Sequence, residues 1–495
     1  MKSPARIAIA YPPLPSDKGV PLLSQNRQFQ WFTRPTFIYP VVPALAATQA
    51  RQAGYEVFWL DGIASGWSVD EFGRRLEEAA PDVVVLETKT PVVSLHWAFV
   101  KVLKERSPQM AVVLVGDHVT ALPEESFARC PVDFVLTGGD YDFLLVNLLA
   151  CISKGEREWE TDAGKLEPGV FWRDKDGTVR NSGTFRLDHD LNAVPCIDRD
   201  LTQWRLYSKK NGNFRRTPGT YIMAGRDCWH GKCTFCSWTT LYPTYRVRDP
   251  IAVVDEIGDL IERYGIREIM DDTGSFPVGA WLKTFCEAMI ARGYNKKVRI
   301  DCNMRFGCLD QAAYALMRQA GFRLVLFGLE SANQGTLDRL VKGLTVRQIE
   351  EGAKAAAAAG LDVHLTVMFG YPWEGEAEIE KTVGLARRLL RKAYAYTLQV
   401  TMVVPYPGTP LFRELDEAGL LTTRNWDDYD MRQQVMRSGV PEEVVKDAVR
   451  RVYRGFLHPE TVVRRVLSTR DPVADLKFYW RGFLSLAGHL KDFRG

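Results

Sequence analysis

Short runs that are apolar on every residue alternate, along most of this chain, with longer stretches of helical period. A run without polar interruption reads as a strand buried on both faces, and such strands sit in parallel sheets whose crossover helices cover both sides. In the first 150 residues the runs are Ile7–Tyr11, Val57–Asp61, Val83–Glu87, Val112–Gly116 and Phe134–Thr137. Val42–Ala53, Val69–Ala79 and Ser94–Arg106 are long enough for helices between them. The pattern predicts an α/β fold that begins with a five-stranded, doubly wound parallel sheet.

At roughly 150 residues per domain, 495 residues leave room for three domains, or for two large ones with appendages. Hydrophobic residues at 46% and charged residues at 25% describe a globular chain and exclude collagen-like or disordered classes. Lys and Arg exceed Asp and Glu by only 64 to 61, which argues against nucleic acid as a partner. The apolar stretch before Pro12 and Pro13 is shorter than a signal peptide needs, and no apolar run reaches the length of a membrane-spanning helix. A cytoplasmic address is therefore expected, and there nine cysteines point to metal or redox chemistry rather than to disulfides.

In doubly wound sheets, ligands sit beyond the carboxyl ends of the strands. Here those ends run into Tyr11-Pro12-Pro13, Thr88-Lys89-Thr90-Pro91, Gly116-Asp117-His118-Val119-Thr120 and Thr137-Gly138-Gly139-Asp140. Gly, Pro, Thr and Asp at four neighbouring turns suit close backbone approach to a ligand, although each turn alone is ordinary. Residues 156–215 lose the alternation. Asp176-Gly177 between apolar runs signals a hairpin in this connector, and Leu191–Asp198 reads as an extended strap.

The alternation resumes over residues 216–430, with strands expected at Thr220–Gly225, Glu268–Asp272, Val298–Asn303, Leu324–Glu330, Val363–Gly370 and Leu398–Pro405. Six strand-helix units fit a partial (β/α)6 barrel. Asp249-Pro250 should cap a helix that Gly265 stops, and Thr345 should cap the alanine-rich helix that ends at Gly360. Residues 431–495 read as a small helical region. Residues 446–495 hold 11 Lys/Arg against 5 Asp/Glu, with Val452, Tyr453, Phe456 and Leu457 and later Phe478, Trp480, Phe483 and Leu484 on apolar faces. A solvated basic face is one expectation; a peripheral membrane contact or a lid over an apolar substrate is the other.

The sharpest local signal is Cys228-Trp229-His230-Gly231-Lys232-Cys233-Thr234-Phe235-Cys236, just past the first barrel strand. Three thiolates on one loop can hold three irons of a four-iron cluster and leave the fourth iron open. With His230 as a fourth ligand, the same residues would make a zinc tetrad, but the mouth of a parallel barrel is where barrel enzymes do chemistry. Cys286, Cys302 and Cys308 match no cluster spacing and read as core thiols.

This loop and the six strand-helix units resemble the radical SAM superfamily, with one departure: the spacing here is C-x4-C-x2-C rather than the usual C-x3-C-x2-C. The resemblance implies that Cys228, Cys233 and Cys236 bind a 4Fe-4S cluster and that S-adenosylmethionine chelates the open iron. Phe327-Gly328-Leu329-Glu330-Ser331-Ala332, with Lys342-Gly343, resembles the family's fourth strand and implies that Glu330 contacts the cofactor's ribose. By position, Asp271 and Asp272 would face the methionine amino group and Arg305 its carboxylate, while Phe235 would line the same site.

Phe369–Glu376 and Val404–Pro410 resemble the cobalamin-binding branch, which includes the class B radical SAM methyltransferases and the anaerobic magnesium-protoporphyrin monomethyl ester cyclases. Residues 115–125 look like that branch's cobalamin loop, with Asp117 in place of a second glycine, so residues 1–155 would be a cobalamin-binding Rossmann-like domain. Pro12, Thr90, Gly116, His118, Thr120, Gly138, Gly139 and Asp140 are the candidate cobalamin residues. No D-x-H-x-x-G motif is present, so the resemblance implies base-off binding without a cobalt bond from His118.

The resemblance implies cleavage of S-adenosylmethionine to a 5′-deoxyadenosyl radical, hydrogen removal from an unactivated carbon, and methyl transfer from methylcobalamin. Alternatives are a non-methylating cyclase or rearrangement enzyme of the same branch, acting on a tetrapyrrole, lipid or natural-product intermediate, and, from another class, a zinc-stabilised ligand sensor. The expected partners are a small-molecule substrate and an electron donor such as flavodoxin or ferredoxin.

Overall fold

The computed structural model describes residues 5–22, 31–33, 35–152, 165–212 and 214–467. All five expected strands of the first sheet form: β1 Arg6–Tyr11, β2 Glu56–Asp61, β3 Val83–Glu87, β4 Ala111–Val115 and β5 Phe134–Leu136. They are parallel and buried along most of their length. The sheet is larger than expected. The connector's hairpin, β6 Val170–Arg173 and β7 Val179–Asn181, adds antiparallel to β5 through pairs such as Phe134 with Trp172, extending the order to β2-β1-β3-β4-β5-β6-β7. Val170 and Trp172 are buried beside β5, so the hairpin covers what would have been a bare sheet edge. Strand order reverses between β1 and β3, the place where such sheets open a crevice.

The second body has six parallel strands in sequence order: β8 Gly219–Ile222, β9 Glu268–Asp271, β10 Arg299–Met304, β11 Phe322–Glu330, β12 Asp362–Phe369 and β13 Thr397–Met402. Asp249 accepts hydrogen bonds from the Ile251 and Ala252 amides (2.8 and 3.1 Å) to start helix Pro250–Tyr264, which Gly265 ends in a left-handed conformation. Thr345 and Gln348 form a capping box on helix Val346–Ala358. At the amino ends of the strands, Arg323 bonds Glu268 and Asp301 (2.9 and 2.6 Å), and the Arg215 and Arg216 amides donate to Glu268 (2.9 and 2.7 Å). This buried plug closes the bottom of the barrel and leaves the other end for chemistry.

Helix Glu442–Arg454 lays Val445, Ala448, Val449, Val452 and Tyr453 on the barrel. The Tyr453 hydroxyl accepts from the Val400 amide and donates to its carbonyl (3.1 and 3.2 Å), satisfying both groups on edge strand β13. The apolar face of this helix is therefore spent on the barrel. Phe478, Trp480, Phe483 and Leu484 lie outside the described residues. No helix among the described residues is long and apolar enough to cross a membrane.

Candidate active site

The cysteine loop leaves the barrel after β8 and is tied at its base. Gly225-Arg226 pairs antiparallel with Arg246-Val247, and a Cβ on Gly225 would lie 2.5 Å from the Arg246 carbonyl oxygen. Cys228, Cys233 and Cys236 are half-buried along the loop, and the Cys236 amide donates to the Cys233 carbonyl (3.3 Å). Within the longer first interval Gly231 is left-handed (φ 56°), next to exposed Lys232.

The turn after β11 presses on this loop from the far side. Thr234 donates its amide to the Leu340 carbonyl (3.1 Å), His230 Nε2 donates to the Val341 carbonyl (2.7 Å), and Arg305 donates to the Lys342 carbonyl. Lys342 Nζ pairs with Glu330 Oε1 (2.6 Å), stands 5.6 Å from the centre of the Phe235 ring, and is buried. The Thr366 hydroxyl approaches the other Glu330 oxygen at 3.4 Å. Burial pushes the Cys233 thiol up, and the nearby Lys342 and Arg305 cations oppose that shift, a surrounding that favours thiolate once a metal is present.

Cys233, Phe235, Arg305 and Glu330 are thus brought together as expected, and the structure adds Lys342, whose Lys-Gly signal was visible in the sequence without a role. Asp271 is placed differently: its carboxylate accepts from the Ala224 and Thr273 amides (2.7 and 3.0 Å) and holds the turn that leads into the cysteine loop. Burial raises its pKa to about 6 against those hydrogen bonds. Asp272 is buried alongside, its amide donating to the Ile222 carbonyl (2.9 Å). Burial pushes the thiol of Cys286 up to about 12 and, more strongly still, that of Cys302, as expected of core thiols.

Around the barrel mouth, the hydroxyls of Thr240, Tyr245, Ser275, Tyr371 and Thr401 and the indole nitrogen of Trp229 are buried without a hydrogen-bond partner. Tyr371 is 0% exposed. Native interiors bury few orphaned polar atoms, each at a cost of about 1–3 kcal/mol, so this ring suits a polar cofactor and substrate. Three thiols beside it suit a cluster. Among the described residues, no three His, Cys, Asp or Glu side chains converge on a point that a single ion could occupy, and His230 is oriented by its Nε2 bond to Val341.

The rim of the first sheet is packed more tightly. His118 is fully buried, with Nδ1 3.2 Å from the Thr90 hydroxyl, Nε2 3.4 Å from Glu125, and Trp97 and Trp426 edge-on to its ring. Thr120 donates to the Gly116 carbonyl (2.7 Å) and accepts from the Gly138 amide (3.1 Å). Pro12 is buried behind the β1 end. A Cβ on Gly116 would lie 2.2 Å from the Thr88 carbonyl oxygen, and one on Gly139 would lie 1.9 Å from the Tyr242 ring. Those two glycines are therefore required for contacts within the chain, the second of them across the two bodies. Asp140, expected on a ligand, is ion-paired to Arg226 and Arg246 of the cysteine loop (2.8 and 2.7 Å).

A six-stranded β/α barrel with a three-cysteine loop after its first strand and a buried glutamate ending its fourth defines a class of metallocluster-bearing barrel enzymes. Residues 222–386 match the Radical SAM superfamily, so this part of the chain is a radical SAM domain. It is similar to an uncharacterized methyltransferase of Pyrococcus horikoshii, 27% identical, covering 86% of this chain and 90% of that relative. The anaerobic magnesium-protoporphyrin IX monomethyl ester cyclase of Cereibacter sphaeroides is 26% identical, over 82% of this chain and 65% of its own length. Among solved structures, the cobalamin-dependent S-adenosylmethionine radical enzyme OxsB shares the fold with a TM-score of 0.71 at 14% identity, over 99% of this chain and 72% of its own. The methyltransferase TsrM from Kitasatospora setae, solved with cobalamin and a [4Fe-4S] cluster, gives a TM-score of 0.64 at 18% identity, over 85% of this chain and 76% of its own.

Proposed function

We propose that this chain is a cobalamin-dependent radical SAM methyltransferase that methylates an unactivated carbon of a small molecule. The observation that carries the reading is the juxtaposition of the cysteine loop with the carboxyl-end rim of a doubly wound sheet, in a chain that follows cobalamin-dependent enzymes over nearly its whole length. When bound, the cluster with S-adenosylmethionine supplies a 5′-deoxyadenosyl radical and cobalamin supplies a methyl carrier.

Cys228, Cys233 and Cys236 hold the cluster, with Lys342 and Arg305 offsetting its thiolate charge. Glu330 and Phe235 would hold the nucleoside, with Lys342 oriented beside them by its ion pair to Glu330. On the other rim, Lys89 is 3% exposed, and its ammonium, close enough to oppose the upward shift that burial gives Glu87, makes no hydrogen bond or ion pair among the described residues. It lies next to the crevice between β1 and β3, where the Tyr11 hydroxyl donates to Glu87 (2.5 Å), and a buried cation there suits an anionic part of a ligand. The enclosure of His118 supports binding without a cobalt bond from that ring. The orphaned Tyr371 and Thr401 hydroxyls favour a substrate with hydrogen-bonding groups over a purely apolar one. The likeness to a ring-forming cyclase supports a second reading, a non-methylating radical reaction on the same scaffold.

The test is anaerobic reconstitution with iron, sulfide and hydroxocobalamin, metal analysis, and turnover with methyl-labelled S-adenosylmethionine and candidate small molecules. About four irons and one cobalt per chain, with iron lost in Cys233→Ala, and label on a product carbon are expected. Iron without cobalt sinks the methyltransferase. Product without label favours the cyclase reading, and zinc in place of iron discards both.

A further inference from the structure

The loop that carries the cysteines is held at both ends by the other body of the protein. Arg226 and Arg246 face each other across the ribbon at its base. Asp140 accepts from Arg226 at 2.8 Å and from both terminal nitrogens of Arg246 at 2.7 and 2.8 Å. Asp142 accepts from both terminal nitrogens of Arg226 at 2.8 and 2.6 Å, in a fork-on-fork geometry. His189 bridges Asp140 and Glu167 (3.0 and 2.9 Å) and stacks on Phe143, whose ring also lies under Arg226. Three carboxylates thus meet two guanidiniums and one imidazole. Both aspartates follow β5, directly after the Gly138-Gly139 turn.

The contacts continue beyond the ion pairs. The Gly139 amide donates to the Leu241 carbonyl (2.9 Å), and the Tyr242 hydroxyl donates to the Gly139 carbonyl (3.1 Å). On the sheet side, Thr120 links the turn at Gly116 to the turn at Gly138. An unbroken set of contacts therefore runs from the rim turns of the first domain, through Asp140 and Arg226, to a point two residues before Cys228. Each of these side chains is buried or partly buried, which makes the set one contiguous network rather than independent surface pairs.

We propose that Asp140 and Asp142 are positioning residues for the iron–sulfur loop, through which the occupancy of the first domain's rim and the affinity of the cluster site for S-adenosylmethionine are coupled. The coupling is reciprocal, because each ligand must change the affinity of the other by the same factor. The cobalamin part of the proposal rests on the function proposed above.

The test uses the full-length protein with its cluster reconstituted, and the variants Asp142→Asn and Arg246→Lys. The second variant keeps the charge and removes the fork, so it remains informative where the first does not fold. Two quantities are read: the Kd for S-adenosylmethionine with and without hydroxocobalamin, and the EPR spectrum of the reduced cluster with and without S-adenosylmethionine. The parent should bind S-adenosylmethionine about 5-fold or more tightly with cobalamin present, within the usual range of coupling. The variants should bring that ratio to about 1 and alter the EPR change while retaining iron. A merely structural role would lower the melting temperature without moving the ratio. A parent ratio of 1, or variants that keep the parent ratio, overturns the proposal. A parent that binds no cobalamin at all sinks the function proposed above instead; the clamp then stands if Asp142→Asn alters the EPR change, and falls if it does not.

Discussion

The two rims that face each other in this protein are built from the same kinds of residues and use them in different proportions. On the first sheet, glycines and polar residues at the strand ends are consumed by the chain: Gly139 makes room for Tyr242, Gly116 for Thr88, and Asp140 holds two arginines. The first rim leaves over chiefly the Lys89 ammonium and the second nitrogens of His96 and His118, whereas on the barrel hydroxyls at several strand ends, those of Ser275, Tyr371 and Thr401 among them, are buried without a partner among the described residues. A small residue at a strand end thus shows that something approaches closely, but not whether that something is a ligand or another part of the chain. A buried polar atom without a partner is the more discriminating sign, because a folded chain leaves few of them for no reason.

If this contrast is right, changes on the first rim should cost stability, and changes on the barrel rim should cost binding. The largest effect is expected from Asp142→Ala, which leaves Arg226 partly uncompensated in a buried site; denaturant unfolding should show a loss of about 3–5 kcal/mol. Gly139→Ala places a methyl group on the Tyr242 ring and should cost about 1–3 kcal/mol. Tyr242→Ala should relieve part of that loss, and strict additivity of the two changes would break the account of Gly139.

On the barrel side, Tyr371→Phe and Thr401→Val should leave stability unchanged or raise it by up to about 1 kcal/mol, since each removes an orphaned hydroxyl. Both should weaken S-adenosylmethionine or substrate binding. A clear loss of stability in either would erase the distinction between the rims.

The smallest effect is on pH dependence. Hydrogen bonds to Asp140 and Glu167 hold His189 up at about 9, above its ordinary value of about 6.5. Its contribution is therefore fully present below pH ~6.5 and is lost as the pH rises through about 9. Stability measured from pH 6.5 to 9.5 should fall more steeply for the parent than for His189→Gln.

Much of this arrangement was legible in the sequence. Every expected strand of both sheets formed within a few residues, because an unbroken apolar run leaves little freedom in how it is buried. The carboxyl ends were drawn too long, as at Thr220–Gly225 against Gly219–Ile222, since apolar residues continue into loops that the other domain buries. The Asp-Gly hairpin was visible, but its membership of the first sheet was not, because edge pairing depends on a partner far along the chain. Glu330, Phe235 and Arg305 lie around Lys342 beside the cysteine loop, each from a motif that could be read in the sequence. The clamp went unread for a physical reason. Asp142, Arg226 and Arg246 lay just outside the motifs that stood out, and an ion pair between residues 84 apart imposes no period on either segment.

The tied base of the cysteine loop also bears on how such loops can vary. Once Arg226 and Arg246 fix where the loop leaves and re-enters the fold, an added residue between them changes the outline of the tip and leaves the frame alone. Gly231, left-handed beside an exposed lysine, is a point within that frame where the backbone can turn without strain. A change of length near the first cysteine is thus buffered from the sheet by the ion-paired base of the loop.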